Sequence, residues 1–121
     1  EKKVILLNRK KSLVEFYNGI DLLVLASHSE SFPNVVAESM LCSTPVLSSD
    51  TGCVKQIINE YGFILKNNDN QLTIKKLKKI INLITNKKKK WNLLKVNSRK
   101  WIQNNFSINK MADTYLKKWI F

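Results

Sequence analysis

Glu30 and Glu38 stand eight residues apart, the first in a polar loop and the second inside the apolar run after it. The segment reads Ser27-His28-Ser29-Glu30-Ser31-Phe32-Pro33-Asn34-Val35-Val36-Ala37-Glu38-Ser39-Met40. Ionised carboxylates accept paired hydrogen bonds from neighbouring hydroxyls, so two acids at the mouth of a helix suit a polyhydroxylated ligand. In that state they are poor proton donors, and a hydrolase using them as acid and nucleophile is the least favoured reading. Taken singly, each glutamate is as well explained as a solvated acid. Ser27 and Ser29 read as turn or cap hydroxyls before ligands, and His28 as an exposed loop imidazole before a catalytic one.

The elements around this segment decide between those readings. Residues 22–26, Leu22-Leu23-Val24-Leu25-Ala26, are apolar on both faces, which suits a strand buried in a parallel sheet. A helix is expected from about Asn34 to Cys42, with Pro33 at or just before its first position, where a missing N–H costs nothing. Side chains in a helix lean toward its N-terminus, so Glu38 reaches back toward the end near Glu30. That end also presents unpaired backbone N–H groups and the positive end of the helix dipole. In an open parallel sheet, ligands bind just beyond the strands' carboxyl ends. The N–H groups near residues 32–35 could hold an anion such as a diphosphate, and the carboxylates could hold hydroxyls.

The rest of the chain supplies the frame. Val4-Ile5-Leu6-Leu7 is a short run of strand type, and Ser12-Leu13-Val14-Glu15 has capping-box form, opening a brief helix that Gly19 stops. Residues 44–48 return as a strand with Pro45 at its start, Asp50-Thr51-Gly52 turns, residues 54–59 form a helix with Ile57 and Ile58 inward, and residues 61–65 make a further strand. Alternating strands and helices predict a Rossmann-like parallel sheet flanked by helices, an α/β fold ending in a helical tail. Residues 1–66 form the α/β core, and residues 67–121 form a helical segment packing on the same domain. In the tail, Leu77, Ile80, Ile81 and Ile84 share one helical face, and Trp91, Leu94, Trp101 and Ile102 mark a second helix that Ser98 interrupts. Ser107 caps a third, with Met111, Ala112, Tyr115, Leu116 and Trp119 on one face. The tryptophans keep helical spacing and are read as core anchors rather than base-stacking platforms.

A length of 121 residues suits one domain, and a hydrophobic fraction of 44% suits a globular core. The chain opens on Glu1 and is read as a piece of a longer polypeptide. No apolar run reaches the roughly 18 residues of a membrane span. Two cysteines and one histidine are too few for a zinc site, so no metal is expected; Cys42 reads as a small apolar filler in a cytoplasmic protein with reduced thiols. The net charge of +12 is uneven: residues 1–60 balance to −1 and residues 61–121 to +13. A Lys- and Asn-rich coding bias explains this, and so does a surface for nucleic acid or anionic lipid.

The stretch from about Ile20 to Leu65 resembles the nucleotide-sugar-binding half of family-4 glycosyltransferases of GT-B fold. The family's Glu-x7-Glu motif sits in a setting of the form Ser-x-x-Glu-Gly-Phe-Pro, then Glu-Ala-Met and Gly-x-Pro-Val. Ser27, Glu30, Phe32, Pro33, Glu38, Met40, Pro45 and Val46 match it. Asp50-Thr51-Gly52 looks like the family's second glycine-bearing turn, and Gly62-Phe63-Ile64-Leu65 like its next strand. The resemblance implies that Glu38 binds the ribose hydroxyls of a nucleotide-sugar donor and that Glu30, the catalytic candidate, contacts the transferred sugar. Amides at residues 31–34, with Ser27, Ser31, Phe32, Pro33 and Asn34 as donor-binding positions, lie near sugar and diphosphate. It implies retention of anomeric configuration without a metal, in the synthesis of cell-envelope, capsule or O-antigen glycan on a glycan or lipid-linked acceptor.

Ser31 and Ser43 stand where the family has Gly, Cys53 where a second Gly is common, and Gln56 where a Glu often comes next. The family's phosphate-contacting Arg and Lys lie upstream, as does its N-terminal acceptor domain, so the chain by itself is expected to transfer no sugar. Arg9, Lys10 and Lys11 are read as a solvated turn rather than substitutes. The competing function is a nucleic-acid-binding module using the Lys-rich half, disfavoured because no recognition-helix or RNP-like pattern accompanies the charge. A third reading, compatible with the first, holds the basic helices against the inner face of an anionic membrane.

Overall fold

Strand and helix alternate through the first half of the chain as the turn residues dictate. The computed structural model describes residues 3–8, 12–65 and 70–119. Its elements are α1 (Val14–Asn18), β1 (Leu23–Leu25), α2 (Asn34–Leu41), β2 (Val46–Ser49), α3 (Val54–Ile58), β3 (Phe63–Leu65), α4 (Asn70–Asn86), α5 (Lys88–Asn105) and α6 (Ile108–Trp119). The strands pair in parallel in the order β1-β2-β3, with Leu23 opposite Val46 and Leu47 opposite Phe63. Parallel neighbours need a crossover, and α2 and α3 supply the two.

Successive strand side chains point to opposite faces, so adjacent residues of β2 enter different cores. Val46 enters one core with Val36 and Met40 of α2, Val54, Ile57 and Ile58 of α3, and Ile102 of α5. Leu47 enters the other with Ile80 of α4 and Trp91 of α5, where the Phe63 and Trp91 rings stack 6.4 Å apart. The long helix α5 therefore reaches both cores and clamps the sheet. Each such aliphatic side chain, fully withdrawn from water, contributes about 1.5–3 kcal/mol.

Several expectations are corrected. Val4, Ile5, Leu6 and Leu7 form no strand and are exposed, because they meet neither a ladder partner nor a covering helix among the described residues. The capping box at Ser12 is not made: α1 begins at Val14 with Leu13 as N-cap, so Ser12 and Glu15 fall one position out of capping register. β1 is not buried on both faces. It pairs only with β2 among the described residues, and Val24 is 51% exposed. On α4, Ile81 faces water and Leu83 packs instead. Ser98 does not interrupt the packing of α5: it is fully buried, its hydroxyl donating to Lys95 O at 2.9 Å.

The tail helices otherwise keep to the pattern. Ser107 Oγ accepts the N–H of Lys110 at 3.2 Å and so caps α6. Trp91 is buried, and Trp101 anchors α5 to α3 by donating its indole N–H to Ile57 O at 2.8 Å. Trp119 is no core anchor: it stands in water with Ile108, Met111, Tyr115 and Leu116, and α6 buries no residue. Cys42 and Cys53 are free thiols, each half-buried. Arg9, Lys10 and Lys11 lie outside the described residues.

Candidate active site

Two loops meet at the carboxyl ends of the strands. Residues 26–33 lead from β1 into α2, and residues 50–53 lead from β2 into α3. Gly52 joins them. Its φ is +51°, and a Cβ at this position would collide with the carbonyl oxygen of Glu30 and lie 2.7 Å from that of Ser31. Only glycine adopts this backbone conformation readily while letting another backbone approach so closely. Beside it, the N–H of Cys53 donates to Ser31 O at 3.1 Å, and Ser49 Oγ donates to Ser27 O at 2.6 Å. The Glu30 loop is thus fastened to the second loop at both ends.

Between the loops opens a cleft of about 600 Å³, lined by Ser27 and His28 from the first, Asp50 and Thr51 from the second, Ser49 at the end of β2 and Thr73 of α4. The Asp50 carboxylate is 2.6 Å from Lys55 Nζ, so its charge is locally balanced. The Thr51 hydroxyl is buried without a hydrogen-bond partner among the described residues. A buried hydroxyl in that state gains from any polar group that enters the cleft.

The anticipated residues fall in distinct places. Ser27 lies in the cleft. Glu30 is half-buried, its backbone against Gly52. The Ser31 carbonyl accepts the N–H of Cys53, and Ser31 itself has no positive φ. Phe32 is exposed on one side and packs on Phe106 at 6.1 Å between ring centres. Pro33 is the buried N-cap of α2, in extended conformation, and Asn34 is the exposed first helical residue.

Glu38 sits on α2 with its carboxylate turned to α1. Its Oε2 accepts the hydroxyl of Tyr17 at 3.0 Å, and it does not line the cleft of His28 and Asp50. Tyr17 is buried, and that burial, with the Glu38 hydrogen bond adding to it, pushes the phenol up to about 12. Sequence reasoning misses Tyr17, because nothing in the spacing of Glu15-Phe16-Tyr17 points across 21 residues. In the sequence, Asp50 and Thr51 read only as a turn. Their place after β2, matching that of Ser27 and His28 after β1, is the available signal. Among the described residues, no three His, Cys, Asp or Glu side chains come together as a metal site.

Comparison with known proteins gives this geometry a family. The family model for glycosyl transferases group 1 matches residues 1–101. The chain belongs to that family. It is 29% identical over 124 residues to the capsular polysaccharide biosynthesis glycosyltransferase CapM of Staphylococcus aureus, covering 95% of this chain and 32% of that protein. It is 31% identical over 112 residues to N,N'-diacetylbacillosaminyl-diphospho-undecaprenol alpha-1,3-N-acetylgalactosaminyltransferase of Campylobacter jejuni, covering 92% of this chain and 29% of that one. Sucrose-phosphate synthase from Thermosynechococcus elongatus superposes with a TM-score of 0.69 at 23% identity, over 88% of this chain and 27% of that one. The chain therefore spans about a third of the length of the relatives it matches, and the structural match shows a shared Rossmann-like fold of GT-B type. None of its helices, among the described residues, is long and apolar enough to cross a membrane.

Proposed function

We propose that the chain is the nucleotide-sugar donor-binding part of a retaining, metal-independent glycosyltransferase acting on a glycan or lipid-linked acceptor in cell-envelope, capsule or O-antigen synthesis. The observation that carries this reading is the loop of Glu30, fastened at the carboxyl ends of parallel strands by Gly52 and Cys53 and running directly into α2. Glu30 is the group beside the transferred sugar, accepting hydrogen bonds from its hydroxyls. Glu38 accepts hydrogen bonds from the ribose. The backbone N–H groups of Asn34 and Val35, which open α2, face the diphosphate and stabilise its charge as it leaves. Ser27 lines the cleft, and Ser31, Phe32, Pro33 and Asn34 carry the backbone from Glu30 into α2 as the donor-binding stretch. The named activities of the two bacterial relatives support capsular and undecaprenol-linked acceptors as the class to test.

Calorimetry of the full-length protein with UDP-, GDP- and ADP-sugars is the direct test. One base should bind, Glu38→Ala should abolish most of the affinity, and Glu30→Ala should depress turnover more than nucleotide binding. Turnover should persist in EDTA. Absence of binding to all three classes would sink the reading.

A second reading concerns location. Lys88, Lys89 and Lys90 occupy the first turn of α5 with Lys87 as its N-cap, where positive charge is disfavoured by the helix dipole. An external anion relieves that cost, and we take an anionic inner membrane face, where lipid-linked acceptors sit, as that anion. Sedimentation with vesicles containing phosphatidylglycerol should show salt-sensitive binding that vesicles of phosphatidylcholine do not.

A further inference from the structure

We propose that Tyr17 is a positioning residue for the donor: its hydroxyl holds the Glu38 carboxylate in the one orientation that engages both ribose hydroxyls. The inference rests on the reading of Glu38 as the ribose acceptor and adds a residue from a different helix to that site.

The geometry starts from Glu38 itself. It is exposed on α2, and a free glutamate on a helix surface samples many rotamers, which a ligand must freeze on binding. Here Tyr17 Oη donates to Oε2 at 3.0 Å. A carboxylate offers about four lone-pair sites, so one such bond fixes the group and leaves Oε1 and part of Oε2 for a vicinal diol.

Tyr17 is itself held. The residue is 3% exposed, and Phe16 packs beside its ring at 5.7 Å between ring centres. Its N–H donates to Leu13 O at 2.9 Å within the α1 turn. Its carbonyl accepts the buried hydroxyl of Thr44 at 2.6 Å, and Ser39 of α2 donates to Thr44 O at 3.0 Å. The phenol is therefore tied through Thr44 to the same helix that carries Glu38. A phenol is protonated across the physiological range, so it stays a donor to the carboxylate. A group whose orientation is fixed before the ligand arrives loses less entropy on binding.

The test is the affinity ratio between a nucleoside diphosphate and its 2′,3′-dideoxy counterpart, measured by calorimetry on the full-length protein with uridine, guanosine and adenosine diphosphates. The wild type should prefer the ribonucleotide, and Glu38→Ala should remove the preference. Tyr17→Phe should leave dideoxynucleotide affinity unchanged and shrink the preference by roughly tenfold, the scale of one hydrogen bond to a charged group. In the Glu38→Ala background, Tyr17→Phe should change nothing further. A Tyr17→Phe variant that weakens both nucleotides equally, or that keeps the full preference while Glu38→Ala abolishes it, overturns the role of Tyr17 alone. A wild type with no ribose preference, or one that Glu38→Ala leaves intact, overturns the ribose reading of Glu38 and the inference with it.

Discussion

Gly52 lies against the carbonyl group of Glu30, so close that no side chain fits between them. The donor loop and the turn after β2 consequently share one backbone surface. Gly52→Ala adds a Cβ that cannot be tolerated in place and a φ of +51° that alanine resists. The variant should lose about 2 kcal/mol or more of stability in urea denaturation, and whatever folds should bind the nucleotide-sugar poorly because the Glu30 loop has moved.

Ser43 offers the opposite opportunity. It holds φ at 62° in the tight turn between α2 and β2, a conformation that glycine adopts without strain. Its N–H bonds to Met40 O at 2.9 Å, so the turn must be kept. Ser43→Gly should stabilise the protein by up to about 1 kcal/mol, read as a higher urea midpoint with an unchanged slope.

The indole of Trp101 is the polar link between α5 and α3. Trp101→Phe leaves the carbonyl of Ile57 without that donor and should cost about 1–2 kcal/mol. Trp91 is buried with its indole N–H unpartnered among the described residues, so Trp91→Phe sacrifices ring volume but no hydrogen bond. Mutant thermal and urea unfolding at matched pH compares the two.

Alkaline stability depends on Tyr17. Its folded-state ionisation lies at about 12, against 10.0 for an unperturbed phenol. As pH rises past 10, the unfolded state gives up this proton first, so the native state binds more protons and stability falls. The contribution is complete below about pH 10, is lost through about pH 12, and is on the order of 2 kcal/mol. Urea midpoints at pH 9 and pH 11 should fall less in Tyr17→Phe than in the wild type; an equal fall would contradict the assignment.

Local patterning carries much of the architecture. The strand at residues 46–48 behind Pro45, the Pro33 start of α2 and the inward pair Ile57 and Ile58 all lie where turn chemistry and periodicity put them. The failures are tertiary. Residues 4–7 have strand composition, but composition cannot supply a ladder partner. Ser98 looks polar in a stripe, yet it is the small residue in the buried face of α5. The site divides in the same way. The motif around Glu30 and Glu38 is contiguous and can be read directly, whereas the contacts of Gly52 with Glu30 and of Tyr17 with Glu38 join residues about 20 positions apart.

The bond between Tyr17 and Glu38 also constrains how such sequences can drift. A phenol buried beside a carboxylate is useful only while the carboxylate is there, and its hydroxyl becomes a liability once the partner is lost. Among homologues, positions 17 and 38 should therefore change together. Chains that have abandoned the acid should replace the phenol with phenylalanine or leucine, which makes the identity at position 17 a marker for members that have ceased to bind a ribonucleotide.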